Sequence, residues 1–294
     1  MNVTEQVRQG RLVCPVSRQE LIEQGDELVT RDGSRRYPVV SGVPVLHTDP
    51  ERIGAYKNQG QGQMHAEYLE TSRSRLRHTL LSLATPPDDM RSEASLRAFA
   101  AVTTDLPPSA LRLSIGGGPG RPHPSLTNLN VDLFANVDVV GDAYALPYAD
   151  SSVDAIHCEA VLEHLERPEK ALQEMYRVAR PGAPVYLATP FLQAYHAYPD
   201  HYQNYTLSGH DRLIERTGFS IVESGACVGP TFAMIDLVSN YFRSCFPGGR
   251  AGRLFWLATR LFGRIILPLD RRLDARSEAV LLASSVFALA VRPG

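Results

Sequence analysis

An α/β fold built on a mostly parallel sheet is what this sequence predicts, and three observations predict it. From Leu111 onward, apolar runs of strand length alternate with segments of helical periodicity. The first of those runs, Leu111–Ile115, passes straight into Gly116-Gly117-Gly118-Pro119-Gly120. Glycines at the carboxyl end of a first parallel strand let the chain turn sharply and let a ligand lie against bare main chain, which is where nucleotide-like ligands bind in open α/β sheets. The third observation is the unit Pro168–Thr189: a helix with Leu172, Met175, Tyr176 and Ala179 on one face, the stop signal Arg180-Pro181-Gly182, and the apolar run Val185–Thr189. A glycine turn alone is also compatible with tight packing and no ligand, so the segments around it carry the weight.

The 294 residues suffice for one large domain, or for a medium domain with a small one. An apolar content of 44% and a charged content of 21% are ordinary for a globular protein. The net charge of −2 lacks the basic footprint of a nucleic-acid binder, so no nucleic-acid partner is expected. Cys14, Cys158, Cys227 and Cys245 show no paired spacing. That predicts free thiols in a reducing compartment and a cytoplasmic location. The N-terminus is polar, and no apolar run reaches the length of about 18 residues that a membrane span needs, so no transmembrane segment is expected.

Taken in order, residues 1–48 read as a small β-rich module. Arg11–Pro15 is one candidate strand; Glu27–Arg31 and Arg35–Val40 flank Asp32-Gly33, the signature of a type I′ hairpin; Ser41-Gly42 turns the chain into Val43–Leu46. Residues 49–108 read as a helical connector: a soft junction at Gly60–Gly62, an amphipathic surface helix at His65–Leu83 carrying Arg73, Arg75 and Arg77, a break at Pro86-Pro87, and a second helix at Ser92–Val102 whose face is Leu96, Phe99 and Val102. Residues 109–294 form the main domain, entered past Pro107-Pro108. Its further strands are predicted at Asn130–Phe134, Val137–Val140, Ser152–Cys158, Val185–Thr189, Phe219–Glu223 and within Glu278–Val291, with a helix at Leu207–Thr217. Only Arg121–Leu129, with two prolines, separate the glycine turn from the second strand. That is too short for a crossover helix with its loops, so the helix is expected to be absent or a single turn. A nicotinamide dehydrogenase, whose pyrophosphate needs a helix N-terminus there, is disfavoured for the same reason.

Residues 229–276 stand out as a helical insertion before the last strand. Phe232–Phe246 reads as an amphipathic helix; after Pro247-Gly248-Gly249, Leu254–Leu269 is strongly apolar with Arg260 and Arg264 four apart. A lid over an apolar acceptor, a homodimer face and a peripheral membrane-contacting helix are the three readings, of which core or lid packing leads.

The order of motifs is more specific than any one of them. The glycine turn, an acidic residue after the second strand, Gly141-Asp142-Ala143, the block SSVDAIHCEAVLEHL at 151–165, a helix, Arg180-Pro181-Gly182 and a strand together resemble the class I S-adenosylmethionine-dependent methyltransferases. Within these they are most similar to the type 11 group of ubiquinone and small-molecule methyltransferases. The resemblance spans roughly 111–223 and implies a Rossmann-like sheet, mostly parallel with its last strand antiparallel, and S-adenosylmethionine as cofactor. It also implies roles. Gly116, Gly117, Gly118 and Gly120 bring the main chain to the cofactor. Asp132, with Leu133 beside it, accepts from the ribose hydroxyls; Asp142 takes the adenine amino group and Ala143 donates its N–H to the ring; Tyr144 and Leu146 wall the adenine. Glu159, Ala160 and His164 line the reactive end, and Asp154 is structural. One departure is Ser114, where the family often places an acid facing the cofactor's ammonium; backbone carbonyls or another acid, with Glu159 the candidate, would then hold it.

The residues Cys14-Pro15 and Tyr37–Leu46, YPVVSGVPVL, resemble the zinc-ribbon-like domain of the tRNA-methyltransferase activator family. Such a ribbon closes a tetrahedral site with two Cys-x-x-Cys pairs. Here Ser17 stands where the first partner belongs and no cysteine lies near Thr30–Gly33, which predicts a degenerate, metal-free packing module.

The implied chemistry is methyl transfer to a small-molecule or lipid-like acceptor, with O-methylation foremost. For a hydroxyl acceptor a general base helps, and histidine suits neutral pH. His164 is one candidate; the loop after the fifth strand supplies His196 and His201. His196 and His201 lack a metal-ligand spacing and no metal is expected. Two other functions compete: a non-catalytic assembly partner with a weakened cofactor site, and an enzyme that uses the cofactor for a reaction other than methylation.

Overall fold

The computed structural model describes residues 2–58, 91–118, 120–197, 200–247, 249–274 and 276–294. The helix expected at His65–Leu83, its arginines, the junction at Gly60–Gly62 and the break at Pro86-Pro87 lie outside the described residues.

Among the described residues eleven strands form a single sheet in the order β1-β2-β3-β4-β7-β6-β5-β8-β9-β11-β10. The N-terminal part supplies helix α1 (Val3–Arg8) and strands β1 (Leu21–Gln24), β2 (Glu27–Thr30), β3 (Arg36–Val40) and β4 (Val43–Leu46). The rest of the sheet is β5 (Arg112–Ile115), β6 (Thr127–Asn130), β7 (Val139–Gly141), β8 (Ala155–Glu159), β9 (Pro184–Pro190), β10 (Ser220–Val228) and β11 (Ser285–Val291). Strands β4 through β9 pair in parallel, while β11 runs antiparallel to both β9 and β10. The expected mixed sheet with an antiparallel last strand is therefore present. Helices α2 (Pro50–Asn58), α3 (Glu93–Thr103), α4 (Pro168–Val178), α5 (Leu207–Arg216), α6 (Pro230–Cys245), α7 (Arg250–Ile266) and the short α8 (Asp270–Leu273) complete the described elements.

The sheet centre explains the apolar runs. All four residues of β5 are buried, because helices or loops cover both faces of a parallel strand. Asp154 holds the start of β5 by accepting from Leu111 N at 2.8 Å, and it pairs with Arg11 at 2.8 Å, the structural role expected of it.

The N-terminal part is continuous with this core. β4 lies parallel on β7, with Val45 opposite Val140 and Leu46 opposite Gly141. An exposed edge strand invites wrong pairing, and β4 caps the one β7 would present. Leu12, Cys14, Leu28, Tyr37 and Leu46 pack into the same buried cluster as Leu113, Tyr148 and Ile156. The Cys14 thiol accepts from Ser17 N at 3.3 Å and lies 3.0 Å from the Tyr37 hydroxyl, so hydrogen bonds surround this sulfur.

Several boundaries differ from expectation. The second strand ends at Asn130 rather than beginning there: the Asn130 side chain accepts from Val131 N at 2.8 Å and turns the chain out of the sheet. Asp32-Gly33 is not a two-residue type I′ turn. Residues 31–35 form a longer loop around the Asp32 carboxylate, which accepts from the Thr30 hydroxyl at 2.7 Å and Ser34 N at 3.0 Å. Arg11–Pro15 makes only isolated bridges, Leu12 with Tyr148 and Val13 with Glu20. The last strand starts at Ser285, because Ser277–Leu281 winds as a 3₁₀ turn. On α3 it is Ser95, Ala98, Val102 and Thr103 that are buried, while Leu96 is exposed. Between β5 and β6 no helix forms among the described residues, as the short connection of eleven residues, 116–126, requires. Arg121 braces this turn by donating to Leu126 O at 2.9 Å and to Asp138 at 2.7 Å.

The insertion is a helical hairpin. Phe255 of α7 stacks on Phe242 of α6 with ring centroids 4.4 Å apart, and Gly263 lies so close to Ile235 that a Cβ would overlap it. Asp270 ties the far end back by accepting from the Thr231 hydroxyl at 2.7 Å.

Candidate active site

A cavity of about 750 Å³ opens at the carboxyl ends of β5 to β8. This is the place where an open α/β sheet receives a ligand, and the size suits a nucleoside-sized molecule.

The glycine turn forms its floor, and its glycines do different work. Gly116 has φ +68, and a Cβ there would overlap Val161 Cγ2, so packing within the protein demands glycine. Gly117 is enclosed by the Asn128 and Ser114 side chains. Gly118, at φ +64, has nothing within 4 Å of its would-be Cβ and borders the cavity with bare main chain. Gly120 is not on the border.

At the second strand, Asn130, Val131 and Phe134 line the cavity. Asp132 and Leu133, singled out from the sequence, do not; Leu133 packs with Val137 and Val140. Asp142, Ala143 and Tyr144 do line it. One Asp142 oxygen accepts from Tyr144 N at 2.9 Å, which fixes the carboxylate at the cavity edge. Leu146 is wholly buried in the core and walls nothing. Its main chain is instead bound by Glu174 and Arg177, at 2.9 Å each. His47 and Arg52 border the cavity from the N-terminal side, and sequence reasoning missed both. Burial first, and then the charge of Arg52, push His47 below the usual imidazole range.

Behind the glycine turn lies a polar chain, buried at Ser114 and His157 and partly buried at Glu159 and Arg91. The Ser114 hydroxyl is 3.1 Å from His157 Nδ1, His157 Nε2 is 3.2 Å from Glu159 Oε2, and Arg91 donates to the same oxygen at 2.6 Å. The Arg91 guanidinium sits 5.1 Å over the Phe99 ring. Burial pushes the Glu159 carboxyl up, but the His157 hydrogen bond and the Arg91 charge outweigh it and hold the group below the usual range. Glu159 does not line the cavity; its charge is matched by Arg91. Serine in place of an acid was the only sequence sign of this rearrangement.

The three candidate histidines meet at the opposite end. His164 follows β8 in the 3₁₀ turn Leu162–His164, while His196 and His201 come from the loop after β9. His164 and His196 line the cavity, with ring centroids 5.3 Å apart. His201 does not line it. It sits behind His196 at 4.3 Å between centroids, its Nδ1 accepting from His196 N at 3.1 Å and its Nε2 donating to Asn204 Oδ1 at 2.7 Å. Burial is the largest influence on His164 and holds its ring below the usual imidazole range. Glu163 is fully buried beside them, and burial pushes its carboxyl up to about 7.

The arrangement therefore offers bare main chain and an acidic group at one end, apolar walls between, and imidazoles at the other.

Comparison with known proteins supports a methyltransferase domain in this chain. Residues 113–187, from β5 into β9, match the family described as a methyltransferase domain. The demethylmenaquinone methyltransferase of Renibacterium salmoninarum is 46% identical over 50 residues, covering 17% of this chain and 21% of that protein. The ubiquinone/menaquinone biosynthesis C-methyltransferase UbiE of Klebsiella pneumoniae is 36% identical over 80 residues, covering 24% of this chain and 32% of its own. The chain thus spans a third or less of the length of these two relatives. Among solved structures, the [4+2]-cyclase SpnF aligns over 74% of this chain and 93% of its own at 17% identity, with a TM-score of 0.45.

Proposed function

We propose that this chain is an S-adenosylmethionine-dependent methyltransferase whose acceptor is an apolar molecule carrying a hydroxyl group. The observation that carries the reading is the single cavity joining the open main chain at Gly118, the Asp142–Tyr144 edge and the His164–His196 end. The match of 113–187 to a methyltransferase domain supports it. The cofactor supplies an electrophilic methyl on sulfur. The chain's own residues bind the adenosine, align the acceptor and exclude water.

The apolar acceptor is inferred from the helical hairpin. Leu254, Phe262 and Ile265 of α7 are exposed, Ile265 to 76%. Residues 229–276 carry eight arginines against three aspartates, in a chain whose net charge is −2. Apolar side chains facing out among arginines suit an anionic lipid surface, from which a lipid-like acceptor would reach the cavity.

The test is formation of S-adenosylhomocysteine from S-adenosylmethionine with a panel of phenols and long-chain quinols, with and without anionic vesicles. Turnover that rises with acceptor apolarity and with anionic lipid is expected. Tight cofactor binding with no S-adenosylhomocysteine from any acceptor would point to a reaction other than methyl transfer.

A further inference from the structure

We propose that Glu163, His164 and His196 bind one divalent first-row transition-metal ion at the acceptor end of the cavity. Three independent features of the geometry lead there.

The first is the state of the two imidazoles. His164 Nδ1 lies 2.6 Å from Asp200 O, and His196 Nδ1 lies 2.9 Å from Ala194 O. A carbonyl oxygen only accepts, so both Nδ1 atoms carry the hydrogen. In the neutral rings each Nε2 is then a lone pair. A ring N–H fixed on a backbone carbonyl is the outer-shell arrangement that orients metal-binding histidines. His201 adds to it by bonding His196 N and holding that ring's backbone in place.

The second is the destination of the lone pairs. His164 Nε2 is 3.8 Å and His196 Nε2 is 3.9 Å from the same atom, Glu163 Oε1. These separations are too long for hydrogen bonds. They are what one ion bonded at about 2.1 Å to each of two donors can span. The three donor atoms all lie within 4.8 Å of one another.

The third is Glu163 itself. Its side chain has no exposure, and neither carboxylate oxygen has a hydrogen-bond partner among the described residues. Burying a carboxylate without a partner is costly, and a cation between it and two imidazole lone pairs removes that cost.

Two imidazoles and one carboxylate suit zinc, iron(II), cobalt(II) or manganese(II) better than magnesium, which prefers oxygen alone. The expectation of no metal considered His196 with His201. The set in the structure joins the turn after β8 to the loop after β9, which sequence spacing hides. Because His164 and His196 border the cavity, an ion they held would be open to it and would act there as a Lewis acid. An acceptor hydroxyl bound there would give its proton to solvent and take the methyl on its oxygen as the donor sulfonium leaves as a thioether. This last step rests on the methyltransferase reading; the ion site does not.

The test uses the full chain, freed of metal by chelator and dialysis. It is titrated with Zn²⁺ by calorimetry and with Co²⁺ by visible absorption. One equivalent of Zn²⁺ and a Co²⁺ ligand-field band are expected. His196→Ala, a change at a side chain 41% exposed, and Glu163→Gln should each weaken binding by roughly 100-fold and abolish the band, whereas His123→Ala should change neither. No stoichiometric binding, or equal binding by wild type and His196→Ala, overturns the proposal. Titration of the same samples with S-adenosylmethionine separates this outcome from failure of the methyltransferase reading.

Discussion

The sheet around β5, β8 and β9 and the α6–α7 hairpin treat their side chains in opposite ways. In the sheet polar groups are drawn into a partnered chain: Ser114, His157, Glu159 and Arg91 are linked in turn, and Tyr186 lies stacked on His157 with ring centroids 5.6 Å apart. In the hairpin large apolar residues face outward, among them Leu254, Leu261, Phe262 and Ile265. The sheet's sequence is explained by packing within the chain. The outward face of the hairpin is not explained by packing among the described residues, and the anionic lipid surface proposed above is what would cover it. Substitutions in the two regions should therefore differ in kind: the sheet should lose stability or cofactor affinity, the hairpin only contact with its partner.

The largest effect is expected where the N-terminal part meets the sheet. Leu46→Ala removes a fully buried side chain next to β7 and should cost about 2–5 kcal/mol. If the shared core is real, thermal unfolding of the variant shifts as a single transition; two transitions would make the N-terminal part a separate unit.

Next is the glycine turn. Gly116→Ala must accommodate both positive φ and Val161, and should lower S-adenosylmethionine affinity by roughly 100-fold, the equivalent of about 3 kcal/mol of strain. Gly118→Ala meets no neighbour and should lose less than roughly 10-fold, from its backbone conformation alone. Calorimetry on the pair distinguishes protein packing from ligand contact as the reason for each glycine.

A pH effect follows from His210, which is buried, without a hydrogen-bond partner on either ring nitrogen, and held by burial down to about 4. Above the ordinary value of 6.5 the ring is neutral in both states and contributes nothing to pH dependence. As pH falls below it, the unfolded chain takes up a proton that the folded chain refuses until about pH 4. Stability should decline across that window by at most about 3 kcal/mol. The neighbouring Asp211 carboxyl is raised by burial and works the other way, so urea unfolding of wild type against His210→Met at pH 7.5 and pH 5 isolates the histidine. Equal declines would contradict its role.

The smallest effect on the fold, and the sharpest test of the contrast, is Ile265→Asp on the exposed face of α7. It should leave stability within about 0.5 kcal/mol and cofactor affinity unchanged, while binding to anionic vesicles falls roughly 10-fold. A large loss of stability would mean that the face packs within the chain.

How much of this was legible in the sequence follows the same division. The alternation of strands and helices, the missing crossover helix and the glycine turn could be read, because parallel strands and tight turns leave local patterns. Strand ends were displaced by a few residues, as at Asn130, where a side chain terminating the strand by bonding Val131 N looks no different in sequence from one continuing it. Leu133 and Leu146 show the limit for the cavity: both are apolar residues near the right strand ends, yet they point into the core. His47, Arg52 and Arg91 were invisible because they reach the site from segments distant in sequence. Glu163 was passed over because nothing local distinguishes a buried, unpartnered glutamate from an exposed one.

The central claim is that the cavity above β5 to β8 is a methyl-donor site, and the most direct measurement is calorimetric titration of the folded chain with S-adenosylmethionine and S-adenosylhomocysteine, beside Asp142→Ala. The predicted result is one site of micromolar affinity for both ligands, weakened at least roughly 10-fold in the variant by loss of a charge-assisted hydrogen bond. No heat of binding from wild-type protein shown by circular dichroism to be folded would contradict it.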